Sequence, residues 1–265
     1  MPQKKPQAAP VRKPFLTGSP YDCNSLRSAA MILLMLVLAA IVYLVAATVL
    51  MIDITVVRIA LNAVMLIVTW ELFSASGRSN GAVAVNQGEI MYRRQERGDT
   101  VTPRDRSMCF HPLKGFVIGL LGSLPLFLIA AVLALTTSRQ ITTAGALPAW
   151  MSSMAEDPEF SSALSAYVVG QSIGVTDILR VLIRMELLPW VNLIGSENSG
   201  ALLIMERLSP VLVLIPGLCY GWGYTRGVNE RSRVHTSIAA GNRRRARKEA
   251  KARKARAAST PKQLN

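Results

Sequence analysis

The chain has 265 residues, of which 51% are hydrophobic and 17% charged, and its formal net charge is +14 at pH 7. The basic excess suits a nucleic-acid-binding protein, whereas the apolar fraction indicates a membrane protein. The two properties occupy different stretches, and the longest uncharged stretch argues against a wholly soluble protein.

The first half of the chain predicts a disordered basic segment followed by a membrane hairpin. Residues 1–27 contain five prolines among scattered charges, which favours disorder. Residues 28–52 carry no charge, and 25 helical residues span about 37 Å, enough to cross a hydrocarbon layer of about 30 Å. This run is longer than the apolar part of a signal peptide. Residues 54–74 predict a second span, with Arg58 and Glu71 near its two ends.

A basic loop and a third span come next. In the loop, residues 75–114, alternating apolar positions between Val83 and Tyr92 favour a short β-hairpin around an Asn-Gln-Gly turn. Cys109 and His111 could bind a metal, but paired ligand spacing is missing, so no metal site is predicted. Residues 115–136 are uncharged and form the third predicted span.

Residues 137–200 predict an acidic extracytoplasmic segment with an amphipathic helix at about 163–188. Asp177, Arg180 and Arg184 fall on one stripe of that helix. A fifth span is the alternative, but the stripe favours a helix in the outer interface or a re-entrant segment. Buried ionisable residues are nearly absent from the predicted spans, and Glu206 is expected near a solvated helix end.

The fourth span is predicted at 201–224, before a polybasic tail at 225–265. Of 30 basic residues, five lie in 1–27, seven in 75–114 and thirteen in the tail. The positive-inside rule places these three segments in the cytoplasm. The predicted fold is therefore an all-α integral membrane protein with four transmembrane helices and both termini cytoplasmic, in the plasma membrane.

Small residues recur at helical spacing in the third and fourth spans, where such spacing permits close helix packing. We expect packing within the chain or a homo-oligomer contact at Gly115, Gly119, Ser123, Gly217 and Gly221. Prolines interrupt the same two spans and favour bends. Bent spans are compatible with a small transporter or channel subunit.

The tail contains the densest run of basic residues, without an apolar face that would insert into lipid. Its expected contacts to anionic lipid headgroups or to a polyanion are Arg243, Arg244, Arg245, Arg247, Lys248, Lys251, Arg253, Lys254 and Arg256. The polyanion could be RNA, including that of the ribosome.

Catalytic motifs are missing from the sequence, so neither an enzyme nor a cofactor is predicted. The favoured function is a partner-binding, assembly or scaffold component of a membrane, with the basic tail as its contact surface. A small transporter or channel subunit using the proline-bent third and fourth spans is the alternative.

Overall fold

The computed structural model describes residues 13–50, 54–137, 174–195 and 198–259, which form α-helices and no β-strand. The helices are α1 Ser25–Leu50, α2 Thr55–Glu96, α3 Pro103–Ser107, α4 Lys114–Thr136, α5 Val175–Glu186, α6 Leu188–Ile194, α7 Ser199–Thr225 and α8 Gly227–Ser259. The all-α class predicted from the sequence is confirmed for this part of the chain.

Four helical stretches are long and apolar enough to cross a membrane: α1, α2, α4 and the run formed by α7 and α8. Their outer surfaces carry exposed apolar side chains, including Leu38, Ile67, Leu128 and Val211. Their inner surfaces meet in a core that contains Ile32, Leu36, Phe73, Ile118 and Tyr220. An apolar exterior around an apolar core is the pattern expected of helices surrounded by lipid. The four predicted spans are thus present as helices.

Helix α2 continues well beyond its apolar half, and the predicted β-hairpin between Val83 and Tyr92 is wrong. Its 42 residues form one helix about 63 Å long. The alternating pattern was short, and tertiary packing overrides so weak a local preference. The packing partner is the run of α7 and α8, which lies beside α2 along its polar half.

The N-terminal segment is ordered from residue 13, which corrects the expected disorder of 1–27; residues 1–12 lie outside the described part. The Leu16 amide donates to the carbonyl of Gly88 at 3.2 Å, and the Gly18 amide donates to the carbonyl of Phe110 at 2.9 Å. The Phe15 ring meets the Phe110 ring edge-on at 6.0 Å. These hydrogen bonds and the packing of Phe15 hold the segment against the bundle, although its prolines alone favour disorder.

The described parts of the three basic segments, residues 13–27, 75–114 and 225–259, extend from one end of the helical bundle. Lys114, at the start of α4, pairs with Asp22 before α1 at 2.6 Å. At the same end, Gly227 packs against Gly81, which lies beyond the apolar half of α2. We call this end the basic end and the opposite end, where α5 and α6 lie, the α5–α6 end.

Helices α5 and α6 are too short to cross a membrane and pack against the spans. Residues 163–173 of the predicted amphipathic helix lie outside the described residues. The remainder forms α5, 12 residues or about 18 Å long, and α6. Ile183 and Leu187 are buried against Leu133 of α4 and Val213 of α7. The apolar outer face of α5 includes Val175 and Val181, and its polar stripe points into the bundle.

Candidate functional site

The small residues singled out in the third and fourth spans lie in the interface between α4 and α7. A β-carbon on Gly119 would overlap the carbonyl oxygen of Gly217, so the two backbones touch. Gly115 lies beneath the Tyr224 side chain and Gly221 against Phe116. Ser123 is fully buried in the same interface. All five face a neighbouring helix of the same chain.

A second close contact joins α2 to the run of α7 and α8. A β-carbon on Gly77 would overlap the carbonyl oxygen of Tyr220, and one on Gly223 would overlap that of Ser74. Gly81 and Gly227 meet one turn further along. The sequence contained a signal for this contact, because Gly77 and Gly81 are four residues apart on α2 and Gly223 and Gly227 are four residues apart on the partner run. Gly77 and Gly81 lay in the predicted loop, so the signal was missed.

Three side chains join α8 to α2 beyond this contact, and we call Glu89, Arg231 and His235 the α2–α8 clamp. His235 Nε2 lies 2.7 Å from Glu89 Oε1. The Arg231 guanidinium contacts the other carboxylate oxygen at 3.2 Å and donates to the Asn86 side chain. Glu89 and His235 are both buried. The clamp fixes the first half of α8 along α2.

A groove of about 860 Å³ runs between α2 and α8 near the clamp. Its basic lining residues are Arg78, Arg226, Arg231 and Arg233, and the acidic one is Glu230. Arg226 lies over the Trp222 ring at 5.0 Å. The groove extends the basic surface from the end of α7 toward the tail.

The basic residues of the tail lie on the second half of α8. Arg243, Arg244, Arg245, Arg247, Lys248 and Lys251 are exposed, and Arg253, Lys254 and Arg256 occupy the last turns of the same helix. Ala and Arg favour helix intrinsically, which supports the helical conformation here. We call this second half of α8, from Arg243 onward, the basic rod.

Comparison of the chain with protein-family models, curated proteins and solved structures finds no match.

A buried charge cluster lies at the α5–α6 end, which corrects the expectation that Glu206 is solvated. Glu206 on α7 is 1% exposed. Arg180 Nε contacts its carboxylate at 3.0 Å and Arg184 contacts it at 2.6 Å. Arg180 also donates to Asp177 at 3.1 Å and to the Thr137 hydroxyl at 2.9 Å.

The cluster explains why the polar stripe of α5 points inward. The stripe is evident in the sequence but its counter-ion is not, because Glu206 lies on a different helix, 22 residues beyond Arg184. The signal that could have revealed the cluster is Glu206 itself, the acid on an otherwise apolar helix. An ionised acid in a medium of low dielectric constant requires a cation nearby. Asp177, Arg180, Arg184 and Glu206 together balance in charge.

The stretch containing Cys109 also differs from its predicted surroundings. Cys109 and Lys114 are buried, and Lys114 forms its ion pair with Asp22 inside the basic end rather than marking a headgroup level. Burial alone would raise the pKa of the Asp22 carboxyl, but hydrogen bonds from Lys114 and Ser25 outweigh this effect and lower that pKa. Among the described residues no group of three potential metal ligands comes together.

Proposed function

We propose that the protein is a non-enzymatic, multi-pass membrane protein that binds RNA, a phosphate-rich polyanion, through the second half of α8. In this proposal it resides in the plasma membrane with both termini in the cytoplasm, as a partner-binding or assembly component. The observation that carries the proposal is the clamping of α8 onto α2, which directs the basic rod away from the spans.

The direction of α8 follows from the order of its contacts. Gly227 meets Gly81, and His235 meets Glu89, so residue numbers rise together along α8 and α2. The two helices are therefore parallel, and both leave the bundle at the basic end. The basic rod continues in that direction beyond His235.

Distance favours a soluble polyanion over lipid headgroups. Glu89 lies about 22 Å along α2 from Ser74, and Arg243 lies about 12 Å along α8 from His235. A headgroup layer is about 5–8 Å thick. Electrostatic attraction decays over about 8 Å at physiological ionic strength. The proposal includes a steep exit of α8 from the bilayer, which would carry Arg243 to Arg256 beyond the reach of the lipid surface.

The charge pattern of the rod suits a phosphate backbone. Arg243 and Arg247, and Arg247 and Lys251, are like-charged pairs four residues apart, which destabilise an isolated helix. Phosphates that neutralise these pairs would remove the repulsion and release counterions. We therefore expect binding that weakens steeply with salt and a tail that becomes more helical when bound.

Binding of a labelled single-stranded RNA to the purified protein in zwitterionic nanodiscs tests the proposal. The variant Arg243→Gln/Arg244→Gln/Arg245→Gln should bind at least tenfold more weakly and lower the salt slope by about 0.7 for each phosphate that is no longer neutralised. The matched control is Arg93→Gln/Arg94→Gln/Arg97→Gln, which removes three exposed arginines from the end of α2.

An equal weakening by the two triple variants would show a non-specific charge effect and contradict the proposal. A tail-dependent gain in affinity for anionic vesicles, without RNA binding, would contradict it in favour of lipid.

A second candidate is a small transporter or channel subunit, favoured by the cluster of Arg184 with the buried Arg180 and Glu206. Ionisable groups inside a helical bundle often accompany transport pathways. Pro210 and Pro216 lie within α7, and Pro125 within α4. Solute flux into liposomes that is abolished by Glu206→Gln, in protein that keeps the wild-type circular-dichroism spectrum, would support this candidate.

A further inference from the structure

Glu186, the last residue of α5, places a carboxyl group inside the bundle. It is 8% exposed and lines a cavity of about 20 Å³ between α1, α2, α6 and α7. The cavity walls include the apolar side chains of Leu36, Leu66, Leu212 and Pro216 beside the hydroxyl-bearing Tyr43 and Thr69. An acid in such surroundings is costly in its ionised form.

The described residues offer Glu186 neither an ion pair nor a hydrogen-bond donor. This distinguishes it from Glu206, which is also buried but contacts both Arg180 and Arg184. Those arginines lie on other sides of α5, directed toward α7 and Thr137. One buried acid of this end is therefore charge-compensated and the other is not.

The polar groups beside the cavity suit a proton better than a metal ion. The Tyr43 hydroxyl donates to Thr69 at 2.7 Å, and Thr69 donates onward to the Met65 carbonyl at 2.9 Å. The Tyr43 oxygen can still accept a hydrogen bond. A calcium ion needs six to eight oxygen ligands, and the cavity has room for about one water molecule.

We propose that Glu186 is a reversible proton-binding site, neutral in the resting bundle and ionised when water enters from the α5–α6 end. This site is independent of RNA binding at α8. Its titration would alter the charge at the junction of α5 and α6 and thereby couple the packing of these helices to pH.

The electrostatic surroundings agree with this assignment. Glu186 lies on α5, which is not one of the four spans, and burial raises the pKa of its carboxyl to about 7. Among the described residues that line the cavity, Tyr43 of α1 is the other titratable group. The linings from α2, α6 and α7 are neutral. Protonation therefore removes the cavity's main charge.

Infrared difference spectra of the protein in nanodiscs, recorded between about pH 6 and pH 9, test the proposal. A protonated carboxyl has a carbonyl band that an ionised one lacks, and solvated acids are already ionised throughout this range. We expect the wild type to lose such a band as the pH rises. The band should be missing from Glu186→Gln and retained in Glu96→Gln, which replaces an exposed acid at the end of α2.

A band that persists in Glu186→Gln, or that is absent from the wild type, would overturn the proposal. Should Glu186→Gln fail to fold, Glu186→Asp provides a second test. It keeps the carboxyl but withdraws it by one methylene, so the band should remain with a different titration midpoint. An unchanged midpoint would also overturn the assignment.

Discussion

His235 on α8 lies 2.7 Å from Glu89 on α2, and both side chains are buried. Together with Arg231, this contact joins a helix that starts within the bundle to one that ends in a basic rod. The contact therefore decides whether the tail has a fixed direction.

Replacing Glu89 with Gln should release α8 from α2. Arg231 and His235 would lose the carboxylate that they share, and the free energy that holds α8 on α2 should fall by about 1–3 kcal/mol. Hydrogen exchange of residues 227–240 should accelerate, whereas exchange in α4 should not. Arg233→Gln is the control, because its pair with Glu230 is exposed and worth little. Unchanged exchange in Glu89→Gln would argue against a clamp.

Replacing Glu206 with Gln should destabilise the α5–α6 end strongly. Arg180 and Arg184 would keep their charges without their shared partner, and breaking a buried pair costs about 3–5 kcal/mol. The thermal midpoint in detergent measures the effect. Arg207→Gln removes an exposed charge from the adjacent position and should leave the midpoint nearly unchanged. Similar midpoints for both variants would contradict the buried cluster.

Replacing Gly119 with Ala should separate α4 from α7. The added methyl group would overlap the Gly217 carbonyl, and overpacking of this kind costs about 1–3 kcal/mol. Gly241→Ala is the matched control, since nothing lies near that position and Ala favours helix. A lower thermal midpoint is expected for the first variant only, and tolerance of Gly119→Ala would exclude the close contact.

The stability of the wild type should fall as the pH rises from about 4.5 to about 7. The pKa of Glu186 is about 7 in the folded protein against an ordinary 4.5, so the folded state binds more protons in this interval. The decrease amounts to at most about 3 kcal/mol. Glu186→Gln should therefore raise the thermal midpoint at about pH 8 and have little effect near pH 4. A pH-independent effect would contradict this linkage.

The proposed orientation makes a labelling prediction. Cys23 is exposed at the basic end, whereas Cys109 is fully buried and should not react in the folded protein. In intact cells, a membrane-impermeant maleimide should label Asn198→Cys, at the α5–α6 end, but not Cys23. Permeabilisation should make Cys23 reactive. Labelling of Cys23 in intact cells would reverse the orientation.

The sequence was sufficient to predict the helical class and the four long apolar helices, because uncharged runs of this length have few alternative structures. It was insufficient for α2 beyond Ser74, where the helix depends on glycine contacts with α7 and α8 rather than on local preference. It also missed the burial of Glu206, whose partners lie on α5 and could be identified only once α5 and α7 were adjacent in space. The environment of Glu186 was likewise not predictable, because α1, α2, α6 and α7 together form the cavity around it.

The unbroken length of α2 has a structural consequence. Asn62 on α2 accepts a hydrogen bond from Asn192 of α6 at 3.3 Å, while Glu89 contacts α8 about 40 Å further along the same helix. Between these points α2 is one continuous helix, so the same element contacts α6 at one end and α8 at the other. The α5–α6 end and the clamp that orients the basic rod are therefore connected through one helix.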